Sequence, residues 1–441
     1  MLQTKRQRGE ATEPLNWKAD FSRFWASQSI SQLAAQTIAA ALPLIAISNL
    51  GVPDGAVGII SFAQYLPVLL FTLVLGALVD ASTKRTTLLI GHFGRAVTFA
   101  VLAAVAFAGE LTFPILLVAA FIGGALTAAF DVAVQALVPT IVPRERLVFA
   151  NSRIQLTYSV AQVLGPSLGG IAAAFGRPGL AFGAIAVAYL TAGVIVLSRR
   201  FSERIPPRPS GNIWRRTAVG IRYCFRDLVL KTLLTAGAVF NLLEQALIVT
   251  FLIYGVRTLG LSVAALGLTL GVSGLGAVVA AVLTVRGRRR NRIITMIIWM
   301  SLAMLSPIAL LFVKDASVIS QLVIAAVFFT YGAGLVVYNI QAVSMRQERA
   351  DPEMLGRVGA VYRFFAYGAL ALGGLVSAIL TQTLGLTSAM YVLIITMALA
   401  TIVWVVLVFG LCWCSGCGGS SGRVGLTGAE ACRIVSRRHD P

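Results

Sequence analysis

Long apolar runs, each followed by a short polar stretch, recur along the chain from about Phe24 to Leu411. A run of about twenty apolar residues is long enough to cross a bilayer as a helix. The pattern predicts twelve such helices, at 24–49, 56–79, 86–108, 112–138, 149–174, 178–198, 230–254, 262–285, 293–313, 317–341, 357–383 and 388–411. We therefore expect an all-α integral membrane protein with two six-helix bundles.

The same pattern divides the chain into five segments. A polar N-terminal segment (1–23) precedes the first bundle (24–198), and a basic linker (199–229) leads to the second bundle (230–411). The remaining residues, 412–441, are rich in Gly, Ser and Cys, and we expect them to form a disordered cytoplasmic tail. The sequence CWCSGC in this tail lacks a nearby histidine, so we expect no metal site there.

The basic residues predict the orientation of the helices. Only 12% of the residues are charged, whereas a soluble domain carries about a quarter. If both termini are inside, the outside loops hold only three bases, Arg177, Arg257 and Lys314. Arg95 and Arg363 lie in apolar runs, and all other Lys and Arg residues face inside. This bias predicts a protein of the cytoplasmic membrane with both termini in the cytoplasm. The net charge of +19 then favours anionic lipid on the inner face, and not nucleic acid, as the partner.

The two predicted bundles carry related sequences at corresponding places. DASTKR follows the second helix and RGRRRNR follows the eighth. PTIVPRERL (139–147) follows the fourth helix and RADPEML (349–355) follows the tenth. Two related halves are common in secondary transporters, so we expect the bundles to be pseudo-symmetric.

The inside loop after the second helix carries a charged motif: Gly76, Leu78, Asp80, Lys84 and Arg85. It resembles the signature of the major facilitator superfamily, roughly G-x-L-A-D-R-x-G-R-K, and departs from it at Ala81 and Thr83. The resemblance implies that the acid engages the second half near the start of helix eleven when the inner gate closes. It also implies that the two bases can contact lipid headgroups. The alternative is an ordinary solvated loop.

A second motif lies on the fifth helix, at Gly165, Pro166, Gly169 and Gly170. Helices four and five, AAFDVAVQALVPTIVPRERLVFANSRIQLTYSVAQVLGPSLGG, resemble an exporter branch of that superfamily, which includes macrolide-efflux and enterobactin-exporter proteins of actinobacteria. The four residues match the core of its antiporter motif G-x-x-x-G-P-x-x-G-G. A proline bends a helix and glycines permit close approach, here to a small face on helix eight: Gly267, Gly271 and Gly274. The alternative is generic small-residue packing.

Ionisable residues inside the predicted helices are few: His92, Arg95, Asp131, Glu244 and Arg363. Such groups are costly in a membrane and suggest function by default. Arg95 and Asp131 fall at similar depth, which predicts a buried ion pair, structural or functional, with His92 one turn away. Glu244 lies near mid-membrane, where desolvation disfavours its charged form. We therefore expect Glu244, and next Asp131, to couple transport to protons.

Polar residues mark a candidate substrate cavity. Gln28, Gln32 and Gln36 recur every four residues on helix one, and Asn241 and Gln245 flank the acid on helix seven. The resemblance implies that helices one, four, seven and ten line the cavity, which adds three residues of helix ten: Tyr331, Tyr338 and Asn339. The alternative role of this stripe is to join helices. A mostly apolar cavity of this kind suits a hydrophobic or amphipathic organic molecule, cations included.

These observations predict a secondary active transporter that works as a monomer by alternating access. We expect a proton-coupled antiporter that exports a drug or natural product, with the proton gradient as energy source and no cofactor; the export direction rests on the resemblance. The alternative is an exporter of a specific metabolite such as a siderophore. The sequence has no G-x-x-x-x-G-K-[ST] loop and no H-E-x-x-H motif, which argues against an ATP-driven pump and an enzyme. A membrane sensor that transports nothing is the remaining alternative.

Overall fold

A computed structural model of the chain describes residues 17–81, 83–198, 213–286, 292–351 and 354–416. These residues form α-helices and two short 3-10 helices, without a strand. The first half contains α1 Trp17–Ser48, α2 Asp54–Ala81, α3 Lys84–Phe107, α4 Phe113–Ile141, α5 Leu147–Ala174 and α6 Pro178–Leu197. After α7 Ile213–Arg226, the second half contains α8 Leu228–Arg257, α9 Val263–Arg286, α10 Arg292–Leu305, α11 Val318–Arg349, α12 Leu355–Leu384 and α13 Leu386–Gly416.

Eleven helices in the described part of the chain are long and apolar enough to cross a membrane. Two helices lie outside this set: the short α7, and α5, in which polar residues such as Asn151, Arg153 and Gln155 interrupt the apolar run. It is nevertheless 28 residues long and packs between α1 and α9. The all-α membrane fold is therefore confirmed, with α5 as the polar member of the set.

The two halves repeat the same internal packing. In the first half α1 packs against α5, α2 against α4 and α3 against α6. In the second half the same order of pairing recurs, with α8 against α12, α9 against α11 and α10 against α13. This correspondence confirms two pseudo-symmetric bundles, since each helix finds the equivalent partner in its own half.

Local sequence explains where several helices begin and break. Thr83 has extended backbone and its side chain accepts a hydrogen bond from the Thr86 amide, so it caps α3. Asp227 caps α8 in the same way. The predicted ninth helix changes at Ser306 into a 3-10 helix that ends at Phe312, because Pro307 lacks a backbone donor.

The predicted segment boundaries differ from the structure at three places. The first helix already begins at Trp17, and the linker contains α7, an amphipathic helix. Tyr223 on α7 donates a hydrogen bond to Asp351 (3.0 Å), which ties the linker to the second half. The last helix extends to Gly416, so only residues 417–441 of the predicted tail lie outside the described residues.

The halves meet tightly at one membrane face, which we call the outer face because it lies opposite the basic loops. An ion pair joins Asp54 at the start of α2 to Arg257 at the end of α8, and Arg257 also donates to the Val52 carbonyl. Deeper, α2 and α12 approach so closely that a Cβ on Gly58 would lie 2.5 Å from the Gly374 carbonyl oxygen. The outer face is therefore closed.

The same face of α12 continues towards the basic loops. Tyr367 contacts Tyr65 of α2, with ring centroids 6.4 Å apart. Further along this stripe Arg363 is exposed. The α2 side chains from residue 72 onward lie outside the described residues, so the contact between the halves is described from the outer face to mid-membrane.

Candidate functional site

Five polar side chains gather where the halves meet, and we call them the central polar cluster: Tyr65, Asp131, Tyr158, Glu244 and Tyr367. They come from α2, α4 and α5 of the first half and from α8 and α12 of the second. Each lies roughly 15–20 Å from the nearer end of its helix, at about 1.5 Å rise per residue. Tyr65 interacts electrostatically with Glu244, and Tyr158 and Tyr367 interact with Asp131 and with Tyr65.

Glu244 lies on the second-half side of this cluster. Its side chain is half-buried, and it interacts electrostatically with Tyr331 of α11. The Tyr331 hydroxyl is buried and has no hydrogen-bond partner that meets geometric criteria among the described residues. Apolar and aromatic neighbours leave Glu244 without a nearby cation in the described structure, as its sequence position predicts.

Asp131 lies on the first-half side and interacts electrostatically with Arg95 and Arg363. The predicted Arg95–Asp131 ion pair is wrong for this conformation, because no nitrogen–oxygen distance of 4.0 Å or less joins them. Arg95 is instead 1% exposed, and its guanidinium carbon lies 4.4 Å from the ring centroids of both Phe130 and Tyr189. Two aromatic faces attract the cation without a carboxylate in contact.

His92 is buried one turn from Arg95, as predicted. Its Nε2 lies 3.1 Å from the Ser27 hydroxyl of α1, and its ring packs against Phe130 at 4.7 Å. The Ser27 hydroxyl donates to the Ala192 carbonyl of α6. His92 therefore joins three helices of the first half and lies outside the central polar cluster.

Arg363 was predicted to be a buried charge partner. Its side chain is exposed, so the burial part of the prediction is wrong, whereas the interaction with an acid is present. It lies on α12 between Tyr367, which contacts Tyr65, and Gly359, and a cation can remain charged there because its side chain is accessible. Its electrostatic partner across the interface is Asp131.

The glutamine stripe of α1 lies along α5. Gln28 and Gln32 are buried and Gln36 is half-buried. Gln36 interacts electrostatically with Tyr158, so the stripe leads into the central polar cluster. On α8, Asn241 and Gln245 are both half-buried next to the acid.

Two cavity candidates on α11 point to different surroundings. Tyr338 is buried, donates to the Leu233 carbonyl (3.3 Å) and packs against Phe240 and Trp404. Its assignment to the cavity is therefore wrong, because aromatic neighbours from α8 and α13 hold it inside the second half. Asn339, the next residue, is exposed.

The charged motif is described only in part. The surroundings of Gly76 and the side chain of Asp80 lie outside the described residues, so the predicted gate contact stays a prediction. Lys84 is 3% exposed at the start of α3, and Arg85 donates a hydrogen bond (2.9 Å) to the Leu197 carbonyl of α6. Thr83, a departure from the family signature, supplies the cap of α3.

The glycine motif of α5 packs against α1 and α9. A Cβ on Gly170 would lie 2.5 Å from the Gly267 Cα, and one on Gly274 would lie 2.6 Å from the Val163 Cα. A Cβ on Gly267 would lie 2.8 Å from the Pro166 carbonyl oxygen. Within the first half, a Cβ on Gly169 would lie 2.6 Å from the Thr37 carbonyl oxygen of α1. The contacts between α5 and α9 form the second close approach between the halves, beside that of α2 and α12.

Three members of the central polar cluster were missed by the sequence reasoning: Tyr65, Tyr158 and Tyr367. Each is a single tyrosine in an apolar run, and their positions share no periodicity that connects them. The signal that could have found them is depth, since each lies close to the middle of its helix. Only the packing of α2, α5 and α12 shows that they meet.

The arrangement provides proton-binding groups and amphipathic surface, not a metal centre or a catalytic constellation. No group of three or more His, Cys, Asp or Glu side chains suited to a metal occurs in the described part of the chain. The carboxyl groups can gain or lose protons, and the tyrosines combine an apolar ring with a hydrogen-bonding hydroxyl.

Comparison with known proteins agrees with this architecture. Tap, a multidrug efflux pump of Mycolicibacterium fortuitum, is 27% identical over 372 residues, 79% of this chain and 86% of its own. Macrolide efflux protein A of Streptococcus pyogenes is 28% identical over 156 residues, 35% of this chain and 38% of its own. A POT family transporter crystallised with 5-aminolevulinic acid shares the fold, with TM-score 0.71 and 14% identity over 88% of this chain and 96% of its own.

The family model of the Major Facilitator Superfamily matches residues 24–373. That range covers the first half from Phe24 onward and reaches into α12, so it includes every member of the central polar cluster. The match agrees with the apolar helices, the repeated pairing within each half and the two close approaches between halves. This chain is therefore a multi-pass membrane transporter of the Major Facilitator Superfamily, and not an enzyme.

Proposed function

We propose that this transporter is a proton-coupled antiporter that exports a hydrophobic or amphipathic drug or natural product. The observation that carries the proposal is the position of Asp131 and Glu244. One acid comes from each half, and both lie at mid-membrane depth in the central polar cluster, which spans the interface. Movement of the halves changes the surroundings of both acids, and such a change is required to couple proton binding to transport.

The cluster suits an exchange between protons and an organic substrate. A carboxyl group in an apolar interface favours its neutral form, whereas exposure to water or a cationic substrate favours its charged form. When the basic side opens, substrate binding and proton release can therefore accompany each other. When the other side opens, the reverse exchange completes an alternating-access cycle.

The composition of the site supports an amphipathic substrate. Aromatic rings and aliphatic walls supply apolar contact, and tyrosine hydroxyls with the amides of Gln36, Asn241 and Gln245 supply hydrogen bonds. A sugar or a phosphate would need more donors or basic groups. The names of the relatives, a multidrug efflux pump and a macrolide efflux protein, favour the same substrate class.

We also propose an inner-membrane location with both termini in the cytoplasm. The basic loops support this orientation. In that orientation the closed outer face lies away from the cytoplasm. The transporter functions as a monomer in this proposal, because each polypeptide contains both halves of the site, and the proton gradient drives it without a cofactor.

The first test is proton release from the purified protein in weakly buffered detergent solution. The protein is titrated with macrolides, lipophilic cations and an iron-chelating siderophore, and the pH change is recorded for wild type, Glu244→Gln and Asp131→Asn. Wild type should release protons with at least one lipophilic substrate, and Glu244→Gln should abolish the release. Glu110→Gln is the matched control, since this carboxylate is exposed in the loop between α3 and α4.

Each other outcome assigns the function differently. Release that persists in Glu244→Gln but disappears in Asp131→Asn would move the proton site to the first half. Binding without release in any variant would contradict proton antiport. Release with the siderophore alone would favour a dedicated metabolite exporter over a drug exporter.

A further inference from the structure

A groove opens on the basic face of the first half, between the first turns of α1 and α5. Its volume is about 400 Å³. It is lined by Trp17, Lys18, Phe21, Ser22, Trp25, Arg146, Phe149 and Arg153. The groove belongs to one half only, and none of its eight lining residues is a member of the central polar cluster.

The charge of the groove has one sign. Three of its eight lining residues are basic (Lys18, Arg146 and Arg153), and none is acidic. All three are exposed. No carboxylate lies within 4.0 Å of these bases among the described residues, so their donors are available to an anion.

Hydrogen bonds and ring contacts fix the aromatic wall of the groove. Trp25 donates through Nε1 to the Thr157 hydroxyl (2.9 Å) and to the Arg153 carbonyl (3.2 Å). The Arg153 guanidinium lies 5.3 Å from the ring centroids of both Trp25 and Phe149. The indole and guanidinium are thus held before any ligand arrives, which lowers the entropy cost of binding.

We propose that this groove binds the phosphate headgroup of an anionic phospholipid from the leaflet on the basic side. Arginine and lysine recognise phosphate, and tryptophan favours the membrane–water interface. The volume suits a phosphate with a glycerol group, and the apolar rings can lie against the start of the acyl chains. The chain's own residues 1–16 are a poor occupant, because they carry three bases and two acids.

The test is native mass spectrometry of the full chain in detergent, titrated with dioleoyl phosphatidylglycerol or dioleoyl phosphatidylcholine. Wild type should retain one phosphatidylglycerol with higher affinity than phosphatidylcholine. Each basic residue near an anionic surface is worth about 1 kcal/mol, or roughly fivefold in affinity. Arg146→Gln should therefore weaken phosphatidylglycerol binding about fivefold, and the triple variant with Lys18→Gln and Arg153→Gln about a hundredfold.

A matched control separates a site from general surface charge. Arg222, Arg226 and Lys231 are exposed bases on and just after α7, and their triple replacement by Gln removes the same charge. This control should change the affinity less than about threefold. Equal loss in both triple variants would overturn the proposal. So would displacement of the lipid by millimolar inorganic phosphate, which would identify a free anion as the ligand. Arg146→Gln leaves the aromatic wall intact, so its result does not depend on folding of the triple variant.

Discussion

The ion pair between Asp54 and Arg257 should hold the outer face closed. It joins the first half at the start of α2 to the second half at the end of α8, and the pair is absent once these ends separate. Both side chains remain partly exposed, at 25% and 32%, so the pair itself is worth about 0.2–1 kcal/mol. The second bond of Arg257, to the Val52 carbonyl, adds about 1 kcal/mol.

Arg257→Ala removes both contacts, so the closed outer face should lose about 1–2 kcal/mol relative to the open one. This corresponds to a shift of roughly 5–30-fold in the ratio of the two conformations. Asp54→Ala removes only the ion pair and should shift the ratio by about 5-fold or less. High salt should reduce the effect of Asp54→Ala, because it screens exposed charges.

The assay is a distance measurement between spin labels on opposite halves of the outer face. Labels at Glu110 and Lys314, both exposed in outer loops, are attached through cysteines in a variant without the five native ones. Double electron–electron resonance should give a longer-distance population in Arg257→Ala that is minor in wild type. The charge-swapped double variant, Asp54→Arg with Arg257→Asp, should recover part of the short-distance population.

Arg177→Ala is the matched control, because this outer-face arginine is exposed and makes no contact across the halves in the described structure. It should leave the distance distribution unchanged. An unchanged distribution in Arg257→Ala as well would refute the reasoning. The close approach of the helices alone would then determine closure of the outer face.

Three further predictions follow from other contacts. Gly170→Leu should disfavour the closed outer face by about 1–3 kcal/mol, because the larger side chain overpacks against Gly267. The spin labels at positions 110 and 314 should then report a longer distance, and an unchanged distance would contradict this prediction. Arg95→Ala should lower the free energy of unfolding by about 2–4 kcal/mol, because it leaves a cavity between the rings of Phe130 and Tyr189. Thermal unfolding followed by intrinsic fluorescence should show a lower Tm, and an unchanged Tm would contradict this prediction. Hydrogen bonds from Ser320 and Ser317 hold the pKa of Asp315 below its usual range. Its stabilising contribution is therefore present above roughly pH 4 and lost as the pH falls through the folded value, so the Tm difference between wild type and Asp315→Asn should shrink between about pH 5 and pH 3, and a constant difference would contradict it.

The candidate site could be predicted only where depth along one helix was enough. Glu244 was found because a lone acid in the middle of an apolar run is unusual, whatever surrounds it. The partner of Arg95 was predicted wrongly because depth fixes height in the membrane but not direction around the helix. Phe130 precedes Asp131 by one residue, so a rotation of about 100° decides which of them meets the guanidinium.

Tyr338 on α11 is a second residue whose contacts could not be predicted from its position along one helix. The resemblance placed this helix at the cavity, and Tyr331 and Tyr338 were both assigned to the cavity with it. In the structure Tyr331 does reach the neighbourhood of Glu244, whereas Tyr338 packs against Phe240 and Trp404. A long helix contacts different neighbours along its length, so residues two turns apart can face different parts of the molecule.

The sequence by itself determined the membrane fold, the two halves and the depth of each charged group. These features depend on runs of apolar residues and on spacing along a helix, which are local properties of the chain. Only the tertiary structure decided which groups meet across the interface, among them Tyr65, Tyr158 and Tyr367, and which membrane face is closed. Contacts between helices depend on rotation and on packing between halves, and no single stretch of sequence encodes either.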